Sequence, residues 1–392
     1  MILAEEKRIR VAIVGPYPLD PSKTTGGIQA VIQNLVKGLK KFVDIHIITI
    51  DYDRDMDPII EPDITLHYLP SSKGLNRLSL YYPERKWIRN TLRQINPDLV
   101  HVHGTDVYGY AVRNVRYPVL LTVHGILSQE GKIDEPDLGF WVRQFNKVKY
   151  SFNTFFERNT LKAVKHIVVI SPYVEEMIRS YTSARMYHID NPVDEVFFQL
   201  KDKTVPNRLL FVGMIRTRKG ILNLLKAVHL IQKNIPDIQL NIVGKVFEPE
   251  YYKLLQDYIE DNNLGANVIF KGRISDKELY REFEECVAII LPSIEESSPM
   301  VVEQAMAAGK PVVATRVGGI PFLVEDRKSG ILVEYGDISG LAEAITSVLR
   351  NPEVAREMGR RGQEIATTRF ELSAIVDKTK KVYQEVIFNS NA

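Results

Sequence analysis

Along the chain, short apolar runs alternate with segments whose apolar residues recur every three or four positions. IRVAIV (9–14) stops at Gly15-Pro16, and Ile28, Val31, Ile32, Leu35, Val36 and Leu39 then line one helical face. DIHIITI (44–50), ITLHYL (64–69), DLVHVHG (98–104) and VLLTVHG (119–125) read as strands, the last two each closing on His-Gly. A long helical stretch over about 140–164, HIVVIS (166–171), a helix opened by Pro172 and RMYHI (185–189) complete the first half. Asn191-Pro192-Val193-Asp194 interrupts the pattern, which then restarts: RLLFVG (208–213), a helix from Lys219, IQLNIVG (238–244), a helix from Pro249, NVIFKG (267–272), a helix from Ser275 and CVAIILPS (286–293). A helix at 299–308, KPVVAT (310–315), GILV (330–333) and three more helical segments follow. Such alternation predicts parallel sheets covered by helices on both faces. The expected fold is therefore α/β, two doubly wound Rossmann-like domains facing across a cleft. The expected boundaries are 1–190, 191–370, and a C-terminal helix over 371–392 packing back toward the first domain. In such sheets ligands bind beyond the carboxyl ends of the strands, so the loops there are where chemistry is sought.

Composition narrows the class. Hydrophobic residues make up 45% of the 392 and charged ones 26%, which excludes a disordered or collagen-like chain. The single cysteine, Cys286, cannot form an internal disulfide and reads as core. No run approaches the roughly 18 apolar residues of a spanning helix, and the opening MILAEEKRIR has no signal-peptide core, which fits a cytoplasmic protein. Net charge is only +2, which argues against a surface built to grip nucleic acid. Residues 1–190 hold 25 basic and 21 acidic side chains, so an anionic partner should prefer that half.

Three loops carry candidate chemistry. Gly26-Gly27 directly precedes a helix, where backbone can approach an anion closely. FVGMIRTRKG (211–220) sets Arg216, Arg218 and Lys219 in a strand-to-helix loop, suited to a phosphate or diphosphate although it is no Walker loop. LPSIEESSPMVVEQAMAAGKPVVATRVGG (291–319) separates Glu295 from Glu303 by seven residues. Ser298-Pro299 reads as N-cap and first helical position, which would leave the Met300 and Val301 N–H groups pointing into the cleft. Two carboxylates able to hold sugar hydroxyls would then surround an anion-binding helix terminus.

These segments resemble the retaining glycosyltransferases of the GT-B fold, glycosyltransferase family 4. The likeness runs through FVG…KG, IVG, LPSIE, the seven-residue Glu spacing, EQAMAAGKPVVAT, VGGI and SGILVEYGD, and more loosely through GGIQ, HVHG, TVHG, VISPYV and NPVD. It implies that Glu295 binds donor-sugar hydroxyls, Glu303 the nucleotide ribose, Lys219 the diphosphate and Gly27 a phosphate. His124 would stand beside the donor sugar, with Arg273 and Ile274 bordering the base. The sequence departs from the family at Met214, where Arg is frequent and Arg216 would supply the charge, at Phe322, where Glu is frequent, and at NPV for NGV.

The implied activity is transfer of a sugar from a nucleotide-diphosphate sugar to a glycan, lipid-linked or small-molecule acceptor, as in polysaccharide biosynthesis, with no cofactor and no metal. Rivals are a GT-B epimerase or phosphorylase-like enzyme, and a silent nucleotide-sugar-binding subunit. Asp51, Asp53, Asp55 and Asp57 alternate but lack the glycine and glutamate of a calcium loop. His101, His103 and His124 form a weaker zinc candidate. Residues 73–93 and 141–165 interleave Lys and Arg with aromatics and carry one acid each, Glu84 and Glu157. That pattern fits peripheral contact with an anionic membrane, on the inner face of the cell membrane.

Overall fold

The computed structural model describes residues 8–18, 26–51, 58–61, 63–72, 79–130 and 140–391, with backbone alone for 51, 61, 130, 140–150 and 391. The chain forms two compact units, one of residues 1–19, 28–190 and 373–392, the other of 20–27 and 191–372. Each is built on one sheet, so the α/β class read from the alternation is the class observed.

The first unit holds β1 (Arg10–Val14), β2 (Asp44–Asp51), β3 (Ile59–Glu61), β4 (Ile64–Pro70), β5 (Leu99–His103), β6 (Val119–Val123), β7 (His166–Val169) and β8 (Arg185–His188). Their order is β3-β4-β2-β1-β5-β6-β7-β8, parallel except for the β3–β4 pair. The second unit holds β9 (Arg208–Val212), β10 (Gln239–Val243), β11 (Val268–Gly272), β12 (Ala288–Leu291), β13 (Val312–Thr315) and β14 (Gly330–Val333). Their order is β11-β10-β9-β12-β13-β14, all parallel. Central strands such as AIIL in β12 are buried throughout, as a sheet covered on both faces requires. In each sheet the order reverses beside the first strand, at β1/β5 and at β9/β12. Connections leave to opposite faces there and open a crevice at the carboxyl ends.

Local chemistry fixes the helices. Ser275 and Glu278 form a reciprocal capping box at the start of Asp276–Glu285, and Ser171 caps Pro172–Ile178 with proline in its first turn. Three sequence expectations need correction. The helix after β9 runs Ile221–Ile231, because Thr217–Lys219 forms a separate 3₁₀ turn that ends at left-handed Gly220. Cys286 is buried as expected but caps the helix Asp276–Glu285 instead of opening β12. Pro299, in extended conformation, is the N-cap of Met300–Ala307, because the Ser298 hydroxyl is taken by Glu303. The antiparallel β3 and the short helix Val107–Val112 have no counterpart in the hydrophobic pattern.

Val193 N–H donates to the Phe370 carbonyl, so the chain enters and leaves the second unit side by side. The final helix, Leu372–Asn391, then contributes Tyr383 and Val386 to the first unit's core. The Tyr383 hydroxyl shares a 2.7 Å hydrogen bond with His101 Nδ1 on β5, and Glu385 accepts from Tyr187 and pairs with Arg185 on β8. Among the described residues no helix is long and apolar enough to cross a membrane. Tyr383→Phe should lower stability by about 1–2 kcal/mol, because it strands a buried imidazole nitrogen. Urea unfolding of variant and wild type measures this, and unchanged midpoints would show that the bond anchors nothing.

Candidate functional site

The strongest concentration of functional side chains in the second unit lies at the β9/β12 reversal. Gly220 has φ +67°, and a Cβ there would sit 1.9 Å from the Pro292 carbonyl oxygen, so only glycine lets the loop after β9 touch the loop after β12. Ile294 N–H donates to the Arg218 carbonyl and completes the contact. Two ion pairs cross between these loops. Arg218 Nη1 donates to Glu295 Oε2 at 3.1 Å, and Lys219 Nζ to Glu296 Oε1 at 2.5 Å. All four side chains are nearly enclosed; those of Lys219 and Glu296 are 12% and 6% exposed. Burial pulls the Glu296 carboxyl upward, but Lys219, Arg218 and the Ser293 hydroxyl outweigh it and hold the group below its ordinary value. Ser293 is itself fixed through its carbonyl, which accepts from Thr315 Oγ1.

Glu296 is the residue that sequence reasoning missed. The seven-residue spacing singled out Glu295 and Glu303, yet Glu296 receives the lysine. One signal was available: Glu296 and Gln304 repeat the same spacing one position further on. Glu303 lies in the first turn of Met300–Ala307 and is wholly buried. Its carboxylate accepts from Ser298 Oγ at 2.6 Å and from Asn191 Nδ2 at 3.2 and 3.3 Å. As the chain stands, Glu303 therefore forms the wall behind the turn, and Gln304 is partly exposed on it. The Met300 and Val301 N–H groups precede the first intrahelical bonds, those of Val302 and Glu303 to the Pro299 carbonyl. Arg216 lies 3.6 Å from Glu248 and over the Phe247 ring, turned from the Arg218–Lys219 pair. Arg273 and Ile274 follow β11 at the same end of the sheet, Arg273 exposed and Ile274 half-buried.

Gly27, the last residue of the segment assigned to the second unit, opens the helix Gly27–Leu39, and in the first unit His124 follows β6. His124 Nε2 lies 2.8 Å from His103 Nδ1 with the rings stacked, and the His101 ring lies tilted against His103 with centroids 4.3 Å apart. His103 Nε2 is buried with no partner. A stranded N–H costs more than a stranded lone pair, which assigns the shared proton to His103 Nδ1. His124 then accepts at Nε2 and carries its own proton on Nδ1. Among the described residues no group of three or more His, Cys, Asp or Glu side chains is arranged to hold a metal ion. Asp53, Asp55 and Asp57 of the acidic run lie outside the described residues.

Two outcomes follow. Lys219→Met should destabilise the protein by about 3–5 kcal/mol by leaving the Glu296 carboxylate buried alone, and adding Glu296→Gln should recover part of the loss. A double-mutant cycle by denaturant unfolding reads this, and purely additive losses would contradict the pair. The histidines give a pH dependence. Burial pulls His101 and His124 from 6.5 down to about 3, and burial with the two neighbouring imidazoles pulls His103 well below 6.5. The unfolded chain therefore binds protons that the folded chain refuses, so stability should fall as pH drops below about 6.5. Unfolding midpoints at about pH 7 and pH 5, above most carboxylate titration, test the sign. A flat profile over that interval would contradict it.

Comparison with known proteins agrees with this architecture. Residues 192–365 match the family described as glycosyl transferases group 1, and residues 25–197 match glycosyltransferase family 4. An uncharacterized glycosyltransferase of Methanocaldococcus jannaschii is 28% identical over 92% of this chain and 95% of its own length. Sucrose-phosphate synthase from Thermosynechococcus elongatus superposes with a TM-score of 0.82 at 22% identity, covering 97% of this chain and all 100% of that one. The Anabaena protein HepE, solved with UDP and glucose, superposes with a TM-score of 0.74 at 18% identity, covering 96% and 100%. With the group 1 model on its second half and the family 4 model on its first, the chain belongs to the GT-B glycosyltransferases of family 4.

Proposed function

We propose that this glycosyltransferase moves a sugar, with retention of anomeric configuration and without a metal ion, from a nucleotide-diphosphate sugar to an acceptor hydroxyl. The acceptor is a glycan or a lipid-linked sugar, bound by the first unit. The observation that carries this reading is the pair of enclosed cation–carboxylate bridges at the β9/β12 crevice. A cation held there by a carboxylate is already desolvated and aimed. The binding of HepE to UDP and glucose supports a donor of this chemistry.

Lys219 is paired with Glu296. An entering diphosphate takes over the lysine charge, and Glu296 and Glu295 become acceptors for sugar hydroxyls. As the glycosidic bond to the diphosphate breaks, negative charge grows on the leaving oxygen. Lys219 and the N–H groups of Met300 and Val301 meet it, which is preorganised electrostatic stabilisation, and Arg216 joins them on leaving Glu248. The sugar ring gains oxocarbenium character, and hydroxyl contacts that strengthen along that path lower the barrier further. The family resemblance is what gives His124 a role toward the donor sugar. Glu303 orders the turn that faces the ribose, through Ser298 and Asn191, and Arg273 and Ile274 border the base. Protein cations supply the charge neutralisation that a metal supplies elsewhere, so no cofactor enters the cycle.

Screening UDP-, GDP- and ADP-sugars with glycan and lipid-linked acceptors, and reading the product anomer by NMR, tests this. Transfer should retain configuration and persist in EDTA. Lys219→Ala should lower kcat by roughly 100-fold or more, because the charge it meets is greatest in the transition state. Inversion, or activity lost in EDTA and restored by Mn²⁺, would overturn the mechanism. Donor conversion without any acceptor would instead indicate an epimerase.

A further inference from the structure

The basic, aromatic helix of the first unit, Tyr82–Ile95, holds an arrangement that sugar transfer does not use. The Arg113 guanidinium lies 3.7 Å from the centre of the Tyr110 ring, and that of Arg85 lies 5.2 Å from the same ring. Tyr110 is buried, whereas both arginines are partly open to solvent. The Nε atoms of Arg85 and Arg113 are buried and make no hydrogen bond, and among the described residues neither guanidinium has an ion pair. Arg89 stands close by and is accounted for: it donates to the Ala111 and Arg113 carbonyls, closing the end of the helix Val107–Val112. The charges that Arg89 feels are those of Arg85, Arg113 and Arg93, and burial with these like charges pulls its pKa down. The acids nearest in sequence face elsewhere. Glu84 accepts from the Ser72 N–H and hydroxyl, and Glu157 from the Leu127 and Ser128 N–H groups.

Two cations held over one buried ring, with a third guanidinium beside them and no ion pair among the described residues, make a position that favours an anion. We propose that Arg85 and Arg113 form a binding site for a single phosphate group, whose oxygens accept from the solvent-facing Nη groups, the Nε atoms being sealed, and whose charge offsets that of the three neighbouring guanidinia. Guanidinium forks match tetrahedral phosphate oxygens, and burial on Tyr110 pre-orients both. Exposed Tyr82, over which Arg85 also lies, and exposed Phe155, beside Tyr110, give the site an apolar rim that suits an organic phosphate. The phosphate belongs either to a soluble phosphomonoester or to a lipid headgroup. Arg89, part of a stretch expected from sequence to meet a membrane, is bonded to the end of the helix Val107–Val112, and within the two basic stretches the side chains of 73–78 and 141–150 lie outside what is described.

The test compares full-length wild type with Arg85→Gln/Arg113→Gln, both carrying an intact Lys219. One arm titrates glycerol 3-phosphate by calorimetry; the other measures flotation with phosphatidic acid in phosphatidylcholine vesicles, against phosphatidylcholine alone. Wild type should bind at least one probe, and the variant at least 10-fold more weakly. The arm that responds identifies the source of the phosphate. Any phosphate bound at the donor site contributes equally to both proteins and cancels. Arg85→Lys/Arg113→Lys should bind between the two, because charge is kept and the fork is lost. A fold control accompanies this: in phosphate-free, low-salt buffer the Gln variant should melt no lower than wild type, since it removes a repulsion. Equal binding by both proteins, no binding by wild type in either arm, or a Gln variant that melts well below wild type would each overturn the site.

Discussion

The reversal of strand order at β9 governs the chemistry of the second unit. With β10 on one side and β12 on the other, the helices that follow β9 and β12 leave to opposite faces, and only there can two strand-end loops meet without a helix between them. Gly220 closes that meeting by accepting a carbonyl where any side chain would collide. Gly318 (φ +52°) repeats the device on the far side, where a Cβ would fall 1.9 Å from the Glu296 carbonyl oxygen and Gly319 N–H donates to the same atom. The backbone around Glu296 is thus gripped from two directions before any ligand arrives.

That grip explains why charged groups survive burial. An enclosed ion pair gains little net stability over a hydrophobic one, because desolvation consumes most of the Coulomb energy. Losing one partner is far worse than losing both. The Lys219–Glu296 and Arg218–Glu295 bridges are therefore poor devices for holding a fold and good ones for presenting a cation that is already stripped of water. The histidine stack in the first unit follows the same logic with neutral groups. Burial keeps the three imidazoles uncharged, and the partnerless nitrogen of His103 decides which nitrogen of His124 carries a proton.

Much of this was legible in the sequence, and the gaps have physical causes. Period-two and period-3.6 patterning located the long strands and helices, because a sheet buried on both faces writes itself as continuous apolar runs. It could not find β3, three residues long, nor Val107–Val112, where Gly109 and the tyrosines blur the period. The resemblance pointed to the loops that meet at the β9/β12 reversal but not to Glu296 as the partner of Lys219. Glu295 and Glu296 are adjacent, and which of them meets Lys219 depends on the direction each side chain takes from an irregular loop. The helix cap moved by one residue because the Ser298 hydroxyl found a buried carboxylate five residues on, a contact that local capping rules do not anticipate. The sequence reading put Arg85 in a stretch expected to meet a membrane and did not single out Arg113; only the fold brings them to one ring.

The account stands on Lys219, positioned by Glu296, being the seat of the diphosphate. Calorimetric titration of UDP, GDP and ADP into wild type and into the folded Lys219→Met/Glu296→Gln variant measures that directly. The double variant removes the charge without stranding a partner, so a change in affinity is not a change in folding. Wild type should bind one of the three nucleotides, and the variant should bind it at least roughly 10-fold more weakly, as loss of a charge-assisted contact requires. Equal affinity in the two proteins would contradict the account and place the diphosphate elsewhere.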